Sequence, residues 1–585
     1  MGCTGCLCIN SRTTSTESYQ PLSMNDSSTD SNELILISSS DDTPINLSLT
    51  KAGLVVVKRK PGPLHSLKLG NPGSTSTRLI PYLSLLSLTA QHSTKGPSRL
   101  EVNALVPSGK GDGKSKMRLW KLVGQVKEVE QHQAGEEGRC RLNEWVKRGM
   151  ESAYKGSKEG RNFHVVLNPM GGKGLAKKAW ETCVKPVLDA AGSSYTISHT
   201  GPPGSTSHAY QLGLKHEPRE FDALMSLSGD GIVHELLNGL ANQPGKGRKV
   251  LRETCVVHVP CGSGNALATS IVGNERVGDW MWNTLVGIKG RAMKMDLCSV
   301  TQKGGKRLYS FLTQAFGLMA DLDLGTEHLR FLGDLRFTLG YIQGSISRRR
   351  YPCKLTVLVE TSSKSQIAHK HNQSLLNLWH SQNRLEEDEE GDEMPELKYG
   401  TPDQELSETA REELGRGRRL KSLPRDGELE GGDGGRWWEI DLMGEVPHSK
   451  GKGKGKEKEK GGVFFLYGGK LPWISKDVML FPPANPNDGL IDLAIVGPMS
   501  PLEALTAMDG SESGKLYHHP SLLYIKTKAY RLEFPHGENG GKDGYISIDG
   551  ESIEHRDFNV EVHEGLARVM CLDGELKGSK PIEGM

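Results

Sequence analysis

Three segments, each an apolar run followed by a glycine turn and a helical stretch, constrain the fold of this chain most. They are HVVL with NPMGGKG (164–174), FDALMSLS with GDG (221–231) and CVVHVP with GSG (255–264), and apolar residues recur at helical spacing after each turn. Short apolar strands joined through helices form parallel sheets, and right-handed crossovers place all three turns at the carboxyl edge. We therefore expect the three turns to lie together.

Glycine turns that lead into helices favour phosphate binding. Glycine lets backbone N–H groups approach an anion closely, and the helix N-terminus adds free donors and a favourable dipole. One such turn is weak support, since glycine also closes ordinary turns, but three at one edge are much stronger. A Walker A loop is excluded because Leu175 follows Gly174, and the joint set of HRD, DFG and VAIK motifs that marks protein kinases is missing.

One acidic residue stands within this anion-binding edge. Asp230, between Gly229 and Gly231, would repel phosphate if it only lined the site. A catalytic or metal-linked role is therefore favoured over that of an incidental turn aspartate. Glu235 follows in the predicted helix, where it can reach a magnesium ion or a basic partner, or stand as an exposed helical glutamate.

Charge and cysteine usage narrow the class of protein. The 73 basic and 71 acidic residues nearly cancel, so net charge does not direct the chain to nucleic acid. We find no signal peptide and no apolar run near the roughly 20 residues needed to span a bilayer. Scattered single cysteines are typical of a reduced, cytoplasmic protein. Cys3, Cys6 and Cys8 are candidates for palmitoylation and peripheral membrane attachment, or else thiols of a frayed terminus.

The motifs together resemble those of the sphingosine kinases, within the wider diacylglycerol kinase catalytic family. The matching stretches are NPMGGKG, SGDGIVHELLNGL, VPCGSGNALA, DLDLGTEHLRFLGDLRFTLG, KAYRLEF and IDGE, in the family order. The resemblance implies an α/β nucleotide-binding domain with a parallel sheet, like that of phosphofructokinases and NAD kinases, and a C-terminal antiparallel β-sandwich that holds the lipid. It also implies ATP and Mg²⁺ as cofactors, and transfer of phosphate to the primary hydroxyl of a sphingoid long-chain base.

We accordingly expect the chain to divide into five units, one of which is formed by two separate ranges. The nucleotide-binding domain occupies 161–296, and the β-sandwich is formed by 297–361 and 463–578. A small β-rich and helical extension precedes them at 76–160. The polar composition of 1–75 and the charged low-complexity sequence of 362–462 predict disorder in both. The pair Trp437 and Trp438 marks a strand embedded in the second.

The resemblance assigns roles to single residues. It makes Asp230 the general base, and Asp323, the second aspartate of DLDL, the carboxylate that recognises the amino group of the substrate. Ser228, Gly229, Asp230, Gly231 and Asp323 are expected to contact the lipid. The expected ATP contacts are Asn168, Pro169, Met170, Thr200, Ser228, Glu235, Gly262, Ser263, Gly264, Arg330, Arg336, Asp549, Gly550 and Glu551. Metal ligands and the oligomeric state do not follow from the sequence.

Three other interpretations stay open. A diacylglycerol or ceramide kinase would share the nucleotide machinery and differ in the lipid pocket. A soluble-substrate kinase of the NAD kinase type would place Thr where this chain has Ile232, and it lacks the DLDL segment. A membrane-associated scaffold would retain a kinase fold without activity, but intact Asp230, Gly231, Arg330 and Arg336 argue against it.

Overall fold

The computed structural model describes most of the chain from residue 32 onward. The described residues are 32–38, 43–59, 75–93, 96–109, 115–127, 136–169, 174–201, 208–325, 344, 346, 349–377, 391–431, 435–447, 458–507, 509–535, 544–574 and 576–583. The candidate lipidation sites Cys3, Cys6 and Cys8 lie outside them. Among the described residues, no helix combines the length and the apolar character needed to cross a bilayer.

An antiparallel sheet and one helix precede the glycine turns. The elements are β1 (Glu33–Ser38), β2 (Pro44–Leu49), β3 (Gly53–Arg59), β4 (Thr75–Pro81), β5 (Leu85–Gln91), β6 (Arg99–Pro107), β7 (Met117–Val126) and α1 (Glu136–Ala153). The seven strands lie in the order β4-β3-β2-β1-β7-β6-β5. Helix α1 buries Leu142 and Trp145 in a core that continues into the next domain.

Strands β1 to β3 correct a prediction. We expected 1–75 to be disordered, yet 33–59 forms three paired strands with Leu36, Leu47 and Leu54 fully buried. The alternation in ELILIS and PINLSL has the period of a half-buried strand, but the surrounding Ser, Thr, Asn and Asp residues masked it. The predicted β-rich extension therefore begins earlier than residue 76.

The middle of the chain alternates strands and helices, as the glycine-turn pattern predicts. The elements are β8 (Asn162–Leu167), α2 (Leu175–Ala179), α3 (Lys185–Ala190), β9 (Ser194–His199), α4 (His208–Leu214), β10 (Ala223–Ser228), α5 (Asp230–Ala241), α6 (Gly247–Glu253), β11 (Cys255–Pro260), α7 (Ala266–Val272) and α8 (Trp280–Lys289). Strands β9-β8-β10-β11 are neighbours and all parallel. The winding direction reverses between β8 and β10, which is where ligands bind in open parallel sheets.

The remainder of the chain is largely antiparallel. Its elements are β12 (Arg291–Gln302), β13 (Leu308–Ser310), β14 (Thr313–Gly317), α9 (Leu318–Gly325), β15 (Lys354–Thr361), α10 (Lys364–Asn377), α11 (Glu408–Gly415), β16 (Arg419–Leu420), β17 (Arg436–Asp441), β18 (Glu445–Pro447), β19 (Lys458–Lys460), β20 (Phe465–Gly469), β21 (Trp473–Ser475), β22 (Val478–Met479), β23 (Ile491–Val496), α12 (Pro501–Ala507), β24 (Leu522–Glu533), β25 (Ile546–Ile548), β26 (Glu551–Ile553) and β27 (Phe558–Cys571). The coarse prediction of a parallel and an antiparallel part is confirmed.

Strand β27 joins the two parts into one sheet. Its first half pairs antiparallel with β24, and Arg568 and Val569 in its second half pair in parallel with Cys255 and Val256 of β11. Strand β12 follows β27 along most of its length. The parallel and antiparallel parts are therefore connected through backbone hydrogen bonds and not only by a linker, a feature that the sequence did not reveal.

Part of the segment 362–462 also contradicts the prediction of disorder. Helices α10 and α11 and strands β16 to β19 lie within it, and β17 pairs with β15. A small cluster of buried side chains, Ala410, Leu414 and Trp437, anchors this segment. The composition predicted disorder because charged residues greatly outnumber the apolar residues in this segment. The few apolar residues nevertheless pack together into a small core. The strand predicted at Trp437 and Trp438 is confirmed as β17, while the acidic run 386–390 lies outside the described residues.

Candidate active site

The second and third glycine turns touch each other through their backbones. Strands β10 and β11 end in register, with Ser228 opposite Pro260. A Cβ placed on Gly262 would lie 2.3 Å from Gly229 Cα, and one placed on Gly229 would lie 3.2 Å from Gly262 Cα. No side chain fits at Gly262, so glycine is required for the two turns to meet. The prediction that these turns converge is confirmed.

The first glycine turn starts beside the second. The N–H of Asn168 donates to the carbonyl of Leu227 at 3.2 Å, which fixes the end of β8 against β10. Residues 170–173 of that turn, including Met170, lie outside the described residues. At the end of β9, Thr200 is buried, and its hydroxyl has no hydrogen-bond partner among the described residues. A buried hydroxyl without a partner at this edge fits a site that a polar ligand completes.

Asp230 begins α5 and reaches across to the N-terminus of α7. Its Oδ2 accepts the N–H of Ala266 at 2.7 Å, and its Oδ1 accepts the N–H of Leu267 at 3.1 Å. Burial raises the pKa of Asp230 above its usual range, while the neighbouring imidazole of His258 and the two N–H groups oppose that shift. The carboxylate therefore holds the third turn in place and keeps a raised affinity for a proton.

Asn265 closes the third turn from within. Its side chain accepts the N–H of Gly262 at 3.0 Å and donates to the carbonyl of the same residue at 2.6 Å. Its backbone has a φ of 56°, in the left-handed region that asparagine tolerates better than most residues. This local pairing shapes the GSG turn independently of any ligand.

A second carboxylate, Asp549, ties the antiparallel part of the chain to α5. Its two oxygens accept five hydrogen bonds, from the hydroxyl of Ser310, the N–H groups of Phe311, Leu312 and Thr313, and Nδ1 of His234 at 2.8 Å. His234 lies one helical turn after Asp230. Although burial opposes its charged form, the Asp549 carboxylate raises the pKa of His234. Asp549 thus fixes the orientation of the helix that carries Asp230.

Asn238 makes a further link between α5 and the antiparallel part. Its side chain donates to the carbonyl of Tyr309 at 2.7 Å and accepts the N–H of the same residue at 2.9 Å. This pairing extends the edge of β13 onto the helix. Together with the His234 contact, it holds two successive turns of α5 against the turn that contains Asp549.

Asp323 lies on α9, close to the same turn. Its Oδ2 accepts the hydroxyl of Ser547 at 2.7 Å, and a Cβ on Gly550 would lie 3.9 Å from that oxygen. On the other side of the turn, Glu551 Oε1 would lie 3.3 Å from a Cβ on Gly231. The turn 549–551 therefore lies between Asp323 and the GDG turn. Three segments that are far apart in the sequence thus come close together at this end of the sheet.

Comparison with known proteins identifies this arrangement. Residues 162–300, which contain all three glycine turns, match the sequence model of the Diacylglycerol kinase catalytic domain. This part of the chain is similar to that catalytic domain. The resemblance to this family and to its sphingosine kinases, predicted from the motifs, is confirmed.

Similarity to relatives extends beyond residues 162–300. The chain is 28% identical over 438 residues to Sphingoid long chain base kinase 5 of Saccharomyces cerevisiae, covering 73% of this chain and 61% of the relative. It is 28% identical over 414 residues to Sphingoid long chain base kinase 4 of Schizosaccharomyces pombe, covering 71% and 75%. Human Sphingosine kinase 1 is 38% identical over 200 residues, or 33% of this chain and 51% of the relative.

Other residues predicted for the candidate site differ in their surroundings. Ser228 is buried, and its hydroxyl bonds to Ser226 at 2.6 Å. Glu235 accepts the N–H of Tyr210 at the start of α4, at 3.4 Å. Ser263 is exposed at the tip of its turn. Arg330 and Arg336 lie outside the described residues, and their predicted contact with ATP phosphates stays a prediction.

Sequence reasoning missed three residues that shape this candidate site: His234, His258 and Asn265. All three stand in or beside the quoted motifs. The signal that could have indicated His234 and His258 is a polar side chain within an otherwise apolar helix or strand. The two histidines were not distinguishable from satisfied core residues without the fold, because their partners Asp549 and Ser228 lie far away in the sequence. Asn265 pairs locally with Gly262, and its role was missed although its partner is only three residues away. The described residues contain no cluster of three or more metal-ligating side chains.

Proposed function

We propose that this chain is a lipid kinase that transfers the γ-phosphoryl group of ATP to the primary hydroxyl of a sphingoid long-chain base. The backbone contact between Gly229 and Gly262, with Asp230 between the two turns, is the observation that carries the proposal. This contact places the backbone N–H groups of both turns at one edge of the sheet. At position 262 there is no room for a side chain, because a Cβ would lie 2.3 Å from Gly229 Cα. The names of the relatives in both yeasts support the sphingoid substrate.

ATP would lie along the edge formed by β8, β9, β10 and β11. Asn168, Pro169 and Met170 of the first turn, together with Thr200, would contact the nucleotide, and Gly262 to Gly264 would receive its phosphates. The partnerless hydroxyl of Thr200 and the bare backbone at Gly229 support this fit. A magnesium ion bound with ATP would neutralise phosphate charge. Arg330 and Arg336 would add to that neutralisation.

Asp230 is the general base of the proposed reaction. Phosphoryl transfer depends mostly on positioning and charge neutralisation, so the base has only to accept the hydroxyl proton late in the step. Two backbone N–H groups fix its carboxylate, and burial keeps its pKa raised. A fixed carboxylate with increased proton affinity suits this role.

Asp323 is the proposed selectivity residue for the sphingoid base. Its half-buried carboxylate can form a charge-assisted hydrogen bond with an ammonium group, which diacylglycerol and ceramide lack. Ser547 orients that carboxylate at 2.7 Å. With Asp230 on one side of the turn 549–551 and Asp323 on the other, the hydroxyl and the amine of one substrate can be recognised together.

The deciding experiment uses the purified full-length chain with labelled ATP and a panel of acceptors. These are sphingosine, dihydrosphingosine, phytosphingosine, ceramide and diacylglycerol. We expect label in the three bases and none in the other two. Transfer confined to ceramide or diacylglycerol would overturn the substrate, and no transfer to any acceptor would favour a scaffold. We also propose a cytoplasmic enzyme that meets its lipid at a membrane surface, testable by co-sedimentation with vesicles.

A further inference from the structure

His258 occupies an unusual position for a strand residue behind a catalytic turn. It lies in the middle of the buried parallel sheet on β11, and its side chain is fully buried. Its Nε2 lies 3.1 Å from the carbonyl oxygen of Ser228, the last residue of β10. Its Nδ1 has no hydrogen-bond partner among the described residues, and it lies 3.7 Å from Oδ1 of Asp230.

The partner of Nε2 settles which ring nitrogen carries the proton. A carbonyl oxygen has no hydrogen to donate, so Nε2 must be the donor in that contact. In the neutral imidazole, Nδ1 then keeps its lone pair, and that lone pair faces the Asp230 carboxylate. Two acceptors facing each other in a buried site are stable only if a proton is available to one of them.

We propose that His258 is a positioning residue for Asp230, to which the carboxylate passes the proton that it takes from the substrate hydroxyl. The inference rests on the proposed kinase activity. As the substrate oxygen forms its bond to the γ-phosphorus, the bond from that phosphorus to the bridging oxygen breaks and its electron pair leaves with ADP. The hydroxyl proton goes to Asp230 and then to Nδ1 of His258, and it returns through Asp230 to solvent when the products leave.

The electrostatics of the pair agree with this transfer. Burial lowers the pKa of His258 and raises that of Asp230, so the two proton affinities approach each other. Asp230 acts on His258 from α5, and the carbonyl of Ser228 acts on it from β10. Asp549, in contact with His234, acts on Asp230 from the antiparallel part and raises its pKa further. The two pKa shifts act in opposite directions on groups whose facing atoms, Nδ1 of His258 and Oδ1 of Asp230, lie 3.7 Å apart.

The first test replaces the imidazole. His258→Gln keeps an amide that can donate to the Ser228 carbonyl but offers no basic nitrogen to Asp230. We expect kcat with sphingosine to fall about tenfold or more, with KM for ATP and for sphingosine unchanged. The acidic limb of the pH–kcat profile should move to higher pH, because the His258 imidazole lowers the pKa of Asp230. The matched control is His216→Gln, which removes another buried imidazole with a partnerless Nδ1 on the loop after α4. It should leave kcat and the pH profile unchanged.

The second test does not depend on turnover. In the full chain labelled with ¹³C-histidine, the His258 signal is identified by its loss in His258→Gln, and its titration is compared with that in Asp230→Asn. Loss of the carboxylate should lower the pKa of His258. An unchanged titration, or a His258→Gln enzyme with wild-type kcat and acidic limb, overturns the inference. A wild-type chain that phosphorylates no acceptor refutes the proposed function instead, while the titration still decides whether the pair exists.

Discussion

Gly262 lies against Gly229 so closely that a Cβ at position 262 would come within 2.3 Å of Gly229 Cα and 2.8 Å of its backbone nitrogen. These two residues begin neighbouring turns at the carboxyl edge of the parallel sheet. Without side chains, the backbones of both residues are accessible at the edge where the phosphates are proposed to bind. The site therefore requires glycine at position 262, because even the methyl group of alanine would collide with the neighbouring turn.

We expect Gly262→Ala to disrupt this edge. Because the atoms in the way belong to the backbone, the turns must separate, at a cost of about 1–3 kcal/mol in the free energy of unfolding. Binding of ATP should weaken at least about tenfold, since 1.4 kcal/mol corresponds to that factor. Urea unfolding and ATP titration measure the two effects. Gly278→Ala, where an added Cβ meets nothing within 4 Å, is the matched control and should change neither.

Asp230→Asn should abolish turnover and also reduce stability. The amide supplies one acceptor in place of two, so one of the N–H groups of Ala266 and Leu267 loses its partner, at about 1–3 kcal/mol. Asp279→Asn is matched to it, since Asp279 is also buried and accepts the N–H of Trp282 in α8. We expect that control to lose stability but to keep its kcat. Phosphorylation of sphingosine by folded Asp230→Asn would refute the role of Asp230 as base.

Asp323→Ala should remove selectivity for an amine-bearing lipid. A charge-assisted hydrogen bond contributes about 1.5–3 kcal/mol, which corresponds to roughly tenfold or more in kcat/KM for sphingosine over ceramide. Rates with sphingosine and with its N-acylated form measure the ratio. Asp321→Ala provides the comparison, because Asp321 accepts the hydroxyl of Tyr351 and an Arg349 N–H and is thereby committed to the protein. A ratio unchanged in Asp323→Ala would show that another group reads the amine.

Asp549→Ala should be strongly destabilising. It leaves the N–H groups of Phe311, Leu312 and Thr313 without their acceptor in a buried site, and each such loss costs about 1–3 kcal/mol. We expect a fall of at least about 3 kcal/mol in the urea unfolding free energy. The exposed Asp477→Ala should stay within about 0.5 kcal/mol. Wild-type stability in Asp549→Ala would mean that the turn does not anchor α5.

His216 makes the protein sensitive to acid. Burial lowers the pKa of His216 from 6.5 to about 4, so the unfolded chain binds a proton that the folded chain does not. Its contribution to stability is complete above pH 6.5 and is lost as the pH falls towards about 4, to a total of about 3 kcal/mol. The slope of unfolding free energy against pH between these values should be shallower in His216→Gln. Equal slopes in the two proteins would contradict the assignment.

Several parts of the fold were accessible from local pattern alone. Strands β8, β10 and β11 are short and apolar, and a glycine follows each of them within four residues. Apolar residues recur at helical spacing after each of these glycines, so a parallel sheet with its turns at one edge could be predicted directly. Strands β1 to β3 were missed, and so were the elements within 362–462 other than β17. Their apolar residues are few and lie among polar ones, and only pairing with distant strands buries them.

The sequence by itself determined that glycine turns would meet at a sheet edge with Asp230 among them, because strand period, glycine and chain direction are local properties. Only the tertiary structure decided what surrounds that residue. The imidazole of His258 behind it and the clamp of Asp549 on its helix come from β11 and from the turn after β25. Contacts between residues about 30 and more than 300 positions apart arise when strands are placed side by side, and no local spacing encodes them.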